Sequence, residues 1–177
     1  MNLRSPICLV ALLLVAAAHG GPSPNLENSD ERFAITDMHG KPAPEWQLTD
    51  WKNSEPMKLA DLKGKIVVLE FWATWCRQCI ATIPKKNALA KKYADQGVVF
   101  IGVCSSDGKS ELPKVVLNRG IRYPVALDAR EATSKRYLAN STPDTYVIDR
   151  QGNLRWGDID GKHVEKAVQI LLAETND

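Results

Sequence analysis

The chain has 177 residues, enough for one domain and tight for two. Apolar residues make up 44% and charged residues 25%, which excludes a wholly disordered chain and a multi-span membrane protein. Lysine plus arginine (23) nearly balances aspartate plus glutamate (21), with no block of like charge to act as a nucleic-acid footprint, and four cysteines are too few for a disulfide-built miniprotein.

The chain opens MNLRSPICLVALLLVAAAHG, with Arg4 ahead of an apolar run of 12 residues from Ile7 to Ala18. A span across ~30 Å of hydrocarbon needs about 20 residues, so this run is too short. Ala16 and Ala18, or Ala18 and Gly20, fit the −3 and −1 positions of a cleavage site. Residues 1–20 therefore read as a secretory signal peptide, which predicts a secreted or periplasmic protein. An uncleaved signal would instead tether the domain to a membrane. No cysteine follows the run directly, which argues against a lipid anchor. Cleavage would remove Cys8 and leave Cys76, Cys79 and Cys104. An odd number in an exported chain means that at least one thiol is unpaired or pairs transiently. Residues 21–32, rich in Gly, Pro, Ser and Asn, read as a flexible leader, and residues 33–177 as one domain.

Within that domain, Phe33 to Gln47 carries Pro42 and Pro44 and predicts an extended, edge-like segment. Lys58 to Lys65 reads as a turn into a strand. Ile66 to Trp72 (IVVLEFW) is nearly continuous in apolar residues, as in a parallel strand covered on both faces. Cys79 to Asp95 has helical spacing, with Pro84 predicted to kink it and Gly97 to end it. Val98 to Cys104 is a second buried strand. Ser110 to Asn118 reads as a helix, Arg122 to Leu127 as a short extended piece and Arg130 to Ala139 as another short helix. Thr145 to Asp149 and Leu154 to Trp156 flank turn residues and predict an antiparallel pair. Lys162 to Ala173 is an amphipathic helix, with Val164, Ala167, Val168, Leu171 and Leu172 on one face and Asp160 as its expected cap. Strands alternating with helices, closed by an antiparallel pair, give an α/β three-layer α/β/α sandwich with a mixed central sheet.

Trp75-Cys76-Arg77-Gln78-Cys79 joins the first buried strand to a helix. Cys76 falls at the helix N-terminus, where free N–H groups and the positive dipole end stabilise a thiolate. Cys79 follows about one turn later on the same face, and only the first sulfur is expected to be exposed. A Cys76 thiolate can then attack a disulfide, and Cys79 can resolve the mixed disulfide. Two structural readings compete. A zinc site would need a second ligand pair, and Cys104, His39 and His163 stand alone in sequence. A structural disulfide across three residues closes almost no loop and stabilises little. No metal and no organic cofactor is expected.

VVLEFWATWCRQC is similar to the active-site segment of the thioredoxin superfamily. With the preceding LADLKGK, the export signal and STPDTYVIDRQGNLRWG, the chain most resembles the TlpA/ResA-type branch, extracytoplasmic thiol–disulfide oxidoreductases often membrane-tethered in bacteria. The resemblance runs from about Trp46 to Ala173. It implies a nucleophilic Cys76, a resolving Cys79, the flanking aromatics Trp75 and Trp72, and the kink-forming Pro84. Pro143 matches the family's cis-proline, which would turn the Thr142 backbone toward an extended substrate. Glu70 matches a buried aspartate of thioredoxins. Independently, a carboxylate inside IVVLEFW would be buried and its pKa raised, so that it could shuttle the proton of Cys79. The competing reading has Glu70 facing solvent or paired with a lysine such as Lys65. Implied partners are protein thiols and disulfides and a redox recycling partner, acting on a monomer.

Three departures from the family matter. Arg77-Gln78 replaces Gly-Pro between the cysteines, and the Arg77 cation should favour the Cys76 thiolate and raise the redox potential. Glu replaces Asp at position 70. Asp144 follows the cis-proline, where its charge could alter substrate choice or repel the thiolate. Cys104 ends the second strand as a buried inert thiol or, alternatively, an accessory one. Trp46, Trp51 and Trp156 are expected as core or rim aromatics, and His163 at the last helix. The favoured activity is thiol–disulfide exchange, with reduction of partners preferred. The alternatives are a thiol peroxidase, for which Thr74 is present but a nearby proline ahead of Cys76 is not, and a copper metallochaperone using Cys76, Cys79 and His163.

Overall fold

The computed structural model describes residues 32–174. In chain order the elements are α1 (Arg32–Asp37), β1 (Thr49–Lys52), β2 (Ile66–Trp72), α2 (Arg77–Ala81), α3 (Ile83–Tyr93), β3 (Val98–Ser105), α4 (Leu112–Asn118), β4 (Val125–Asp128), α5 (Ala132–Tyr137), β5 (Asp144–Ile148), β6 (Leu154–Trp156) and α6 (Val164–Ala173). The sheet order is β1-β4-β3-β2-β5-β6. β2, β3 and β4 run parallel; β5 runs antiparallel to β2, β6 to β5 and β1 to β4. This is the thioredoxin-like α/β arrangement with a mixed sheet.

Every residue of β2 is buried, because it pairs on both edges and is covered on both faces. Alternation along the strand then divides the core in two. Ile66, Val68 and Trp72 face α2, α3, α4 and α6, where they meet Ile83, Leu89, Val116 and Val168. Val67, Leu69 and Phe71 face α5 and the N-terminal segment. There Phe71, Tyr137 and Tyr146 form a triangle of rings with centroids 5.4 to 5.7 Å apart.

Three elements differ from the sequence expectations. The segment expected to be extended from Phe33 begins as the helix α1, and only the part around Pro42 lies along the sheet, bridging to Asn153. What the sequence hid is tertiary: Ile35, fully buried, packs into the α5-side core. β1 was not expected at all. It holds only four residues, none of them fully buried, so it lacks the periodicity that marks a strand. The helix expected from Cys79 to Asp95 is two helices, broken at Thr82. Pro84 sits in the first turn of α3, where its missing N–H costs nothing. Asp160 does not cap α6. Its Oδ1 accepts the Lys162 N–H at 2.8 Å in the preceding turn, and His163 occupies the cap position. Trp46 and Trp156 are buried and Trp51 is partly so. The predicted signal peptide and all but Arg32 of the predicted leader lie outside the described residues, and no described helix is long and apolar enough to cross a membrane.

Candidate active site

The C-terminal ends of β2 and β3 lie side by side, with Trp72 opposite Cys104. Beyond β2 the chain turns through Ala73-Thr74-Trp75 and starts α2 with Cys76 at the cap position. Cys76 and Cys79 are joined in a disulfide, with Cα atoms 5.3 Å apart. The Cys79 backbone N–H donates to Cys76 Sγ at 3.1 Å, so the one-turn spacing places a helix-end donor on the first sulfur. Both cysteines are largely buried in this oxidised form, Cys76 at 5% exposure and Cys79 at 1%. The expected contrast between the two sulfurs is thus small while they are joined.

The Thr142–Pro143 peptide bond is cis, and Thr142 O lies 3.6 Å from Cys76 Sγ. Trp75, directly before Cys76, is 64% exposed and lines one groove with Thr142. Its indole N–H donates to Asp107 Oδ2 at 2.7 Å. The Ser105 hydroxyl also bonds Asp107, and these two hydrogen bonds hold its carboxyl below the usual carboxylate range. A groove of about 370 Å³ runs between Trp75 and the Thr142 loop. Arg77 is exposed beside the disulfide.

Glu70 faces the α3 side of the sheet, opposite Gly102 of β3 and Thr145 of β5. It is buried, and it pairs with Lys86 rather than with Lys65. Burial pushes the Glu70 carboxyl up; the adjacent Lys86 pulls it back down. Lys86 Nζ also donates to the Cys79 carbonyl at 3.3 Å. At this break between α2 and α3 the same carbonyl accepts the Thr82 hydroxyl at 3.0 Å. Glu70 and Lys86 both line a recess of about 230 Å³ that reaches Gln78, Thr82 and Pro143.

Asp144 is where the structure departs most from a charge placed at the active site. Being the first residue of β5, it points to the α5 side with Tyr146, away from Glu70, and the Tyr146 hydroxyl donates to it at 3.2 Å. Cys104 is fully buried beneath the loop that carries Asp107 and Gly108. Burial, then the Asp107 charge, push its thiol up to about 12, against a smaller opposing contact with the Thr74 backbone.

Sequence reasoning missed Lys86, Asp107 and Gly108. For Lys86 the sequence offered only a misleading hint: in the single helix expected from Cys79 to Asp95 it would follow Cys79 by two turns on one face, whereas it reaches Cys79 from a second helix that begins after a break at Thr82. Nothing in the sequence pairs Asp107 with Trp75 across 32 residues. Among the described residues no three His, Cys, Asp or Glu side chains converge as a metal site, so Cys76, Cys79 and His163 form none.

A model of the AhpC/TSA family matches residues 39–157, which includes the whole of this site. The chain belongs to this thioredoxin-like family. It is 32% identical over 145 residues to "Thiol-disulfide oxidoreductase ResA" of Geobacillus kaustophilus, covering 82% of each chain. Among solved structures, a putative thiol:disulfide interchange protein DsbE from Chlorobium tepidum superposes with a TM-score of 0.69 at 25% identity, over 76% of this chain and 98% of that one. A thiol-disulfide isomerase from Corynebacterium glutamicum gives 0.64 at 28% identity, over 75% and 98%. The protein is a thiol–disulfide oxidoreductase of the ResA/DsbE type.

Proposed function

We propose that this oxidoreductase is exported and reduces disulfides on partner proteins through Cys76 and Cys79. The observation that carries this reading is the Cys76–Cys79 disulfide set between the exposed Trp75 and the Thr142 carbonyl. An extended peptide lying along Thr142 would bring its own sulfur to Cys76. Once reduced, Cys76 attacks the partner disulfide and one partner sulfur leaves as a thiolate. Cys79 then attacks Cys76 Sγ, the internal disulfide re-forms, and the second partner sulfur departs. Glu70 takes the Cys79 proton in that second step, Pro143 and Trp75 shape the substrate side, and Arg77 favours the Cys76 thiolate. Export rests on the N-terminal Arg4, apolar run and small residues at 16, 18 and 20. A second redox protein returns electrons to the pair, and the domain works as a monomer.

The test is the redox potential of the pair, measured by equilibration against dithiothreitol and glutathione buffers. A two-electron transition near the thioredoxin value of about −270 mV supports a reductase, and one near −120 mV overturns that direction. Absence of any transition overturns the exchange reading. Arg77→Gln should lower the potential, because the thiolate loses a neighbouring cation.

A further inference from the structure

The Glu70 carboxylate is supplied with its counter-charge by the helix that follows the cysteine pair. Lys86 lies in α3 and is inward-facing, its side chain 15% exposed against 11% for that of Glu70. One ammonium group reaches both Glu70 and the Cys79 carbonyl. Those two groups come from different elements: β2 carries the carboxylate, and α2 carries the cysteine. Lys86 is therefore the only described side chain seen to bond to both. The site accepts it because the break at Thr82 leaves the Cys79 carbonyl open to side-chain donors.

We propose that Lys86 is a positioning residue for the resolving step: it clamps the Glu70 carboxylate to the backbone of Cys79, so that proton transfer and sulfur attack occur in one arrangement. This deepens the exchange mechanism and rests on it. In the step concerned, the Cys79 thiol gives its proton to the Glu70 carboxylate. The resulting thiolate bonds to Cys76 Sγ, the bond between Cys76 and the partner sulfur breaks, and the partner leaves as a thiolate. Glu70, now protonated, faces the 230 Å³ recess, through which its proton can pass to solvent. An ion pair that served only to hold α3 on the sheet would have no need of the Cys79 carbonyl.

The charged and titratable groups around Glu70 are Lys86 from α3, Tyr123 ahead of β4, whose hydroxyl is pushed up by burial and then by the Glu70 charge, and Lys85, Asp160 and Lys162 at the recess. Of these, Lys86 alone forms a salt bridge to Glu70 among the described residues. Removing it should let the carboxyl rise further, since Lys86 opposes the effect of burial.

The experiment uses the full chain with Cys8→Ser and Cys104→Ala, reduced and mixed with 5,5′-dithiobis-(2-nitrobenzoate). Attack by Cys76 releases one thionitrobenzoate, and resolution by Cys79 releases a second, so the two steps separate as absorbance phases. Lys86→Met should leave the first phase unchanged and slow the second at least about tenfold at neutral pH, within the range of general acid–base contributions. Its pH midpoint should move upward. Lys86→Gln should behave like Lys86→Met, and Lys86→Arg should restore rate and midpoint. In a Glu70→Gln background, Lys86→Met should cost nothing further, because Lys86 acts through Glu70. A second phase of unchanged rate and midpoint in Lys86→Met and Lys86→Gln overturns the clamp. A wild-type protein with no second phase overturns the exchange mechanism itself. If Lys86→Met does not fold, Lys86→Gln and Lys86→Arg decide.

Discussion

Cys104 provides the sharpest quantitative test of the geometry. The reduced protein presents three described thiols, and alkylation proceeds through the thiolate. With its thiol pushed from the ordinary 9.0 up to about 12, Cys104 at pH 8 is ionised in about one molecule in ten thousand, against about one in ten for an ordinary thiol. That alone slows labelling about a thousandfold, before steric exclusion at 0% exposure adds to it. The lid is Gly108: a Cβ there would stand 2.8 Å from Cys104 Sγ and 3.0 Å from Thr74 Oγ1, so only glycine lets the loop close. The assay is iodoacetamide labelling of the reduced full chain at pH 8, with peptides resolved by mass so that Cys8, Cys76, Cys79 and Cys104 are followed separately. Cys104 should react about a thousandfold faster in guanidinium than in the native protein. Gly108→Ala should lift the loop and narrow that ratio. A native rate within tenfold of the unfolded one would refute both the burial argument and the inert role of Cys104.

Two further outcomes follow from close contacts at the other face of the sheet. At Gly157 a Cβ would meet Ile35 Cγ2 at 2.6 Å and Tyr146 Cε1 at 2.8 Å, so Gly157→Ala should cost about 1–3 kcal/mol. Thermal unfolding should show it as a loss of roughly 3–10 °C, and an unchanged midpoint would mean that α1 does not pack there. The Gly157 N–H also donates to His39 Nε2 at 3.1 Å, which requires neutral imidazole, and burial holds His39 below its ordinary 6.5. Folding is thus fully supported by this bond above pH 6.5, and the support fades as pH falls through 6.5 toward the folded value. Melting curves between pH 5 and 8 should show a steeper acid loss for wild type than for His39→Gln; parallel curves would dismiss His39 as the cause.

The redox motif was legible because its information is local. A buried apolar strand, a CxxC and a helix-compatible continuation sit in one run from Ile66 to Tyr93, and each requires only neighbours in sequence. The bounds of β2 and β6 agree with the residue pattern for the same reason. Glu70 was legible as a buried acid, since a lone carboxylate within IVVLEFW has little chance of reaching water. Its partner was not. Choosing Lys86 over Lys65 depends on the strand parity that turns Glu70 toward α3, and on the helix break that brings Lys86 back to Cys79.

The chain by itself therefore determined where the two sulfurs, the carboxylate and the proline lie along the backbone, because composition and period are properties of contiguous residues. Only the tertiary structure decided which groups face one another. Trp75 meets Asp107 across 32 residues, Cys76 meets the Thr142 carbonyl across 66, and Asp144 turns from the disulfide to Tyr146. Such pairings are set by sheet order and strand register; a shift of one residue in β5 alone would turn Asp144 and Tyr146 to the opposite face.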